Sequence, residues 1–285
     1  MAIFKKLNAL KLITGIALLN AIALSGVFAN EIEIDTLLPA SIEQSSSPKN
    51  YSGMYSLYFG GLLIANAQVT ITTQDQSYHL YMDITPSGIV DFVSDFKAGA
   101  KFEGDILENR LQPRSTRTSW VNRDGEAEFA NLIYENGRAL SFETNNKWAK
   151  TRADSEQIDI ETITTQTIDP ISSMFAAAGS SPCARKQTIF DGLRLSTLTP
   201  VNEDKEQSAL KCNIAWLPIA GVREKSVKFA QTMAPIRAKF TKIEHIGFLV
   251  PENIIIETRY GYVSVRLAKP FTNTALNNQD TRPPF

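Results

Sequence analysis

Two histidines and two cysteines in 285 residues leave little material for catalysis or metal binding. The chain contains no G-x-S-x-G elbow, no H-E-x-x-H pair and no G-x-x-x-x-G-K-[ST] phosphate loop. His79 and His245 are the only imidazoles, and no sequence signal pairs either with a nucleophile. C-x-x-C spacing is absent, so redox exchange is not indicated. Excess basic charge is missing too: 29 Lys and Arg face 30 Asp and Glu. A chain without a basic surplus is a poor match for nucleic acid or for tight electrostatic docking on anionic lipid. Nothing in the sequence indicates a cofactor. After the N-terminal region, no apolar run reaches the roughly 20 residues that a membrane-spanning helix needs.

That N-terminal region is the most distinctive stretch. Lys5, Lys6 and Lys11 precede and enter a short apolar run from Leu12 to Leu24, and Val27-Phe28-Ala29 follows. This order is that of a cleavable export signal over residues 1–29. A retained anchor and a buried core helix are the alternatives, and the shortness of the run and Asn20 within it weigh against the anchor. Lys-Lys in place of Arg-Arg favours general secretion, and no cysteine follows the run to carry a lipoprotein anchor. Cleavage after Ala29 leaves 256 residues destined for the periplasm. The leader removes three lysines and no acid, so 26 basic side chains face 30 acidic ones and the net charge falls near −4.

In an oxidising compartment the even pair Cys183 and Cys212 favours a structural disulfide. Two buried thiols are the alternative. A metal site is the poorest reading, since neither histidine lies near a cysteine in sequence.

Residues 30–50 are polar and serine-rich and read as a flexible lead-in, and residues 272–285 have the same character. A single β-rich domain is expected over residues 51–271. Gly60-Gly61, Asp124-Gly125, Asn136-Gly137, Asp191-Gly192 and Tyr260-Gly261 separate β-rich runs, which predicts a series of hairpins. Within Tyr78 to Ile84, Tyr78, Leu80, Met82 and Ile84 share one face, whereas His79, Tyr81 and Asp83 share the other. The expected fold is all-β with two short helices, a curved antiparallel sheet forming a half-barrel or barrel-like meander. One helix is predicted from Ser87, with Ile89, Phe92, Val93 and Phe96 on one face. The second is predicted from Asp169 and Pro170 through Ile171 to Ala178, ended by Gly179.

Carboxylates offer two further candidates. Asp91 and Asp95 are spaced as a solvated helix face or as a glycosidase-like pair. Asp154, Glu156 and Asp159 form a charge run without the spacing of a calcium loop. Aromatic side chains are the positive signal. Tyr55, Phe92, Phe96 and Trp120 are candidates to line an apolar ligand site inside a curved sheet, or to fill its core.

Tyr55-Ser56-Leu57-Tyr58-Phe59-Gly60-Gly61-Leu62, Gly88-Ile89-Val90-Asp91-Phe92, Leu111-Gln112-Pro113 and Asp169-Pro170-Ile171-Ser172-Ser173-Met174 follow one another in an order similar to that of the bacterial domain of unknown function 3108 family. Cys183, Phe190-Asp191-Gly192-Leu193-Arg194, Cys212 and Leu249-Val250-Pro251 continue the resemblance, which covers about residues 51 to 268. It implies an exported, mostly antiparallel β protein and carries over no catalytic residue. Three functions follow as expectations. The first is a non-catalytic envelope protein that binds a lipid-like ligand or another envelope component. The second is an interaction protein with a filled core. The third is a hydrolase built on His79 or His245.

Overall fold

The computed structural model describes residues 47–88, 96–107, 110–121, 125–146, 158–176, 181–205, 209–243 and 248–274. Thirteen strands form a single antiparallel sheet. They are β1 (Lys49–Phe59), β2 (Leu62–Gln74), β3 (Ser77–Pro86), β4 (Ala98–Leu107), β5 (Arg110–Val121), β6 (Ala127–Glu135), β7 (Arg138–Thr144), β8 (Gln187–Phe190), β9 (Leu195–Lys205), β10 (Ala209–Ala220), β11 (Ile236–Lys242), β12 (Leu249–Thr258) and β13 (Gly261–Asn273). Two meanders, β1 to β7 and β8 to β13, join through the pairing of β1 with β13. The terminal strands β7 and β8 thus become the free edges of one long sheet, and twist curls these edges toward each other.

Turn chemistry explains the hairpins. Asn136 (φ 51°) and Gly137 (φ 78°) both occupy the left-handed region, the combination that a tight two-residue turn between β6 and β7 demands. The β12–β13 turn differs slightly from expectation: Arg259 and Tyr260 form it, and Gly261 opens β13. Strand pairing also reaches beyond the expected limits of 51 and 271. Lys49 and Asn50 belong to β1, where the Asn50 carbonyl accepts from the Thr274 amide at 3.0 Å and Asn50 Oδ1 accepts from Thr72 at 2.6 Å.

Side-chain alternation puts one face of the sheet inside. On β3, Tyr78 and Leu80 are buried, Met82 and Ile84 pack half-exposed against the same cluster, and Asp83 points out. The largest cluster gathers Tyr51, Tyr55, Val69, Ile71, Leu80 and Phe102 from the first meander, with Val250 and Phe248 from the second. A second cluster surrounds Cys212, Phe240 and Ile254.

Among the described residues, helix is placed differently from expectation. The single α-helix of the described residues, α1 (Glu224–Ala230), lies between β10 and β11, where no helix was expected. The predicted helix over Ile171 to Ala178 is instead one 3₁₀ turn, Ser172–Met174. Ile171 is the N-cap of this turn, and Asp169, expected in that role, lies two residues earlier with its Oδ1 accepting from the amides of Ile171 (3.0 Å) and Ser172 (2.7 Å). The turn stops because Ala176 exchanges two backbone hydrogen bonds with Leu249, at 3.0 and 2.9 Å. A long-range bridge therefore overrides local helix propensity. The other predicted helix, from Ser87 to Gly99, falls largely on residues 89–95, outside the described residues.

Candidate functional site: the concave face and its plug

Segment 158–176 runs from the open seam of the sheet into its concavity. At the seam, the Thr167 amide donates to Gly137 O (2.7 Å) in the β6–β7 turn, and Ile168 exchanges hydrogen bonds with Thr188 and Phe190 of β8. Ile168 therefore serves as a short parallel strand beside Ile189, and the segment links the two free edges that do not pair directly. Beyond it, Ile171 and Phe175 enter the main core, and Tyr78 Oη meets Ser172 Oγ at 3.3 Å. One end of the concave face is plugged by the chain itself.

A buried polar group sits in this plug. Asp169 is 1 % exposed. Its Oδ1 accepts from the Ile171 and Ser172 amides, whereas Oδ2 has no hydrogen-bond partner among the described residues. Burial raises the pKa of its carboxyl, and the Ser172 and Ile171 donors only partly oppose that rise. The phenols of Tyr78 and Tyr134 are held well above their ordinary value, first by burial and then by the nearby Asp169 charge.

Toward the opposite end, marked by the Gly60–Gly61 turn, the Ser87 amide donates to Ile64 O at 3.0 Å, and the β3–β4 connection continues into residues 89–95, outside the described residues. Leu57, Met82, Ile84 and Val265 are only half-buried there, although they pack on the same core. Cross-strand register places Leu57 opposite Val265. This leaves an apolar lining near the rim.

The candidate aromatic residues divide accordingly. Tyr55 is buried on the concave face, its ring edge-on to Phe271 at 6.1 Å, and its hydroxyl has no partner among the described residues. Trp120 is also buried, and its Nε1 donates to Glu128 Oε2 at 2.7 Å. Asn146 Nδ2 donates to the same oxygen. Phe96 is half-buried just before β4, and Phe92 lies outside the described residues. Tyr55 and Trp120 are thus both buried. The half-buried rim residues Met82, Ile84 and Leu57 were legible only as alternating strand positions.

Cys183 and Cys212 are joined, with their Cα atoms 5.9 Å apart. Cys212 faces inward from β10, so the bond ties the loop before β8 to the core of the second meander. A hollow of about 280 Å³ lies beside it, lined by Cys183, Arg185, Lys186, Pro200 and Val201 among others.

Of the catalytic candidates, His79 and Asp159 lie among the described residues. His79 lies on the outer face of β3, with Nδ1 3.0 Å from Glu103 Oε1. Lys101 contacts the same carboxylate oxygen, and Ser115 donates to the other at 3.1 Å. The carboxylate thus separates His79 from Ser115, which is not the order of a nucleophile and its base. Burial works against the Glu103 charge, but Lys101, His79 and Ser115 outweigh it and hold the pKa below its ordinary value. His245, Asp91, Asp95, Asp154 and Glu156 lie outside the described residues. Asp159 accepts from the Glu161 amide at the start of a 3₁₀ turn. Among the described residues, no three His, Cys, Asp or Glu side chains cluster as metal ligands would.

The chain belongs to the family described as "Protein of unknown function (DUF3108)", whose profile matches residues 54–208. Leu249-Val250-Pro251 lies beyond the matched range. The fold resembles the crystal structure of a β-barrel-like protein of domain of unknown function DUF1849 from Brucella abortus. That likeness has a TM-score of 0.39 at 9 % identity and covers 79 % of this chain and 98 % of the other. No curated protein matches the sequence. Neither the family nor the site geometry points to catalysis.

Proposed function

We propose that the protein is exported to the periplasm and acts there as a non-catalytic binding protein that holds an apolar, lipid-like ligand against the concave face of its sheet. One observation carries this reading. Ile171 and Phe175 join the main core from segment 158–176, and Leu57, Met82, Ile84 and Val265 of the same cluster stay partly exposed on the concave face. Partly exposed apolar side chains converging on a concavity are the usual lining of small-molecule sites. The N-terminal lysines and apolar run support export. Native mass spectrometry of protein purified from the cell envelope tests the ligand. A lipid-sized mass adduct is expected, removable by organic extraction and restored by added lipid. An unliganded mass that does not shift on lipid addition would refute it.

A second reading rests on the plug. Because Ile171 and Phe175 of segment 168–176 already pack into the main core, the sheet can serve as a rigid interaction scaffold with no ligand. It predicts the unliganded mass together with a crosslinked envelope partner.

A further inference from the structure

Residues 163–176 strap the seam of the sheet, and Asp169 is the one side chain among them that can bear a charge. It stands between two holds. On one side, the Thr167 amide donates to Gly137 O (2.7 Å), the Ile168 amide to Thr188 O (3.0 Å) and the Phe190 amide to Ile168 O (3.1 Å). On the other, Ile171 and Phe175 lie in the main core and Ala176 pairs with Leu249. Neither hold is a continuous ladder, since Ile168 and Ala176 each make an isolated bridge. Around Asp169 no cation balances its charge among the described residues. Tyr78 of β3 and Tyr134 of β6 feel that charge, and Asp105, Arg114 and Asp191 lie next in reach of these phenols. Arg114 is paired with Asp105 at 3.0 Å and Arg194 with Asp191 at 2.8 Å. At the seam, Arg110 and Arg138 donate to Gln166 Oε1 and to the Ile163 carbonyl. β8 and the Leu249-Val250-Pro251 start of β12 carry no charged side chain. With Oδ2 buried and unpartnered, an ionised Asp169 is costly while the strap is docked, and its release into water removes that cost.

We propose that residues 167–176 form a pH-operated strap, whose release from the seam and the main core is favoured when Asp169 loses its proton, while the thirteen-stranded sheet stays folded. The direction of the Asp169 pKa agrees, since burial raises it in the docked strap. Once released, the carboxyl meets water and returns to its ordinary value. Docking is therefore strongest at low pH, weakens as pH climbs from the ordinary to the raised value, and is constant above that window. Release takes the backbone bridge out of the β7–β8 seam and uncovers the side chains beneath Ile171 and Phe175. The inference holds whether or not the concave face takes a ligand.

Native-state hydrogen exchange of the full chain, followed by NMR across pH and at low urea concentrations, tests the proposal. The amides of Thr167, Ile168, Ala176 and Leu249 report on the strap, and those of the β1–β2 ladder report on the whole sheet. Strap amides are expected to exchange through an opening that urea barely affects. Their protection should fall by up to about tenfold per pH unit within the window and then level off. Ladder amides should be better protected and respond steeply to urea. Asp169→Asn should leave the strap amides without this pH response. A reading on wild type alone does not rely on that variant folding: the levelling-off should coincide with the pH at which carboxyl NMR places the Asp169 titration. Strap exchange with the urea dependence of the ladder overturns the proposal, because the strap then leaves only when the sheet unfolds. Strap protection that is flat with pH in wild type, a pH response that Asp169→Asn keeps, or a levelling-off away from the Asp169 titration overturns it as well.

Discussion

Phe142 of β7 and Phe190 of β8 face each other across the seam of the sheet, their ring centroids 5.8 Å apart. The strands that carry them are the two ends of the sheet and share no ladder. Closure at this point is therefore made by side chains and by the bridging backbone at Thr167 and Ile168, with Leu132, Tyr134 and Ile163 packed alongside.

Removing either ring should loosen the seam unequally. Phe190 is fully buried and Phe142 is half-buried, so Phe190→Ala should cost about 3–5 kcal/mol and Phe142→Ala less. Gly192 is a related weak point. It has a φ of 90°, and an added Cβ would overlap the Phe142 ring. Gly192→Ala should therefore destabilise by at least about 1 kcal/mol. Urea midpoints check all three, and an unchanged midpoint for Phe190→Ala would show that the seam does not support the fold.

The Cys183–Cys212 link closes a loop with a sequence separation of 29. In the chain-entropy treatment a loop of that size contributes roughly 3.5 kcal/mol. Reduction, or replacement of both cysteines by serine, should lower stability on that scale. Thiol titration of the unfolded, unreduced protein should find no free sulfhydryl. Two free thiols, with no response to reductant, would exclude the bond.

Asp169 should make stability fall with rising pH. Its pKa is higher in the folded protein than in the unfolded chain, so the native state holds the proton more tightly. As pH climbs from the ordinary carboxyl value to the raised folded value, Asp169 progressively weakens the native state, and above that window its penalty is constant. Asp169→Asn keeps an oxygen for the Ile171 and Ser172 amides and carries no charge. It should exceed wild type in stability at pH 7 and lose that advantage near the ordinary carboxyl pKa. A variant less stable than wild type at pH 7 would show that the carboxylate is not strained by burial.

Glu103 should behave with the opposite sign. Its lowered pKa means that its contribution is present above the unfolded carboxyl value and disappears as pH falls through the folded one. The group is a quarter exposed, so solvent and salt weaken the effect. Glu103→Gln should shift stability at pH 7 by less than about 1 kcal/mol and leave it unchanged under strongly acidic conditions. Titration by carboxyl NMR gives the pKa directly, and an elevated value would contradict the Lys101, His79 and Ser115 contacts.

Local chemistry determined much of this protein before any folding contact formed. Glycine-containing turns such as Asn136-Gly137 demand positive φ, and period-two alternation from Tyr78 to Ile84 assigns an inside and an outside, so hairpins and an antiparallel sheet were legible in the chain itself. The paucity of histidine and cysteine likewise restricted the chemistry. Other features depended on residues distant in sequence. Asp169 and Pro170 announce a helix start, yet Leu249 captures Ala176 and ends the helix after one turn. Tyr55 and Trp120 read as residues that line a concavity or fill its core, and strand register sets their inward-facing neighbours, Phe271 and Glu128. Which apolar side chains remain half-exposed, as Met82 and Ile84 do, depends on where segment 168–176 enters the concavity. The meeting of Phe142 with Phe190 depends on the curvature of thirteen strands. Turn geometry and alternation act over a few bonds, whereas burial is a property of everything packed around a residue; only the tertiary structure could assign it.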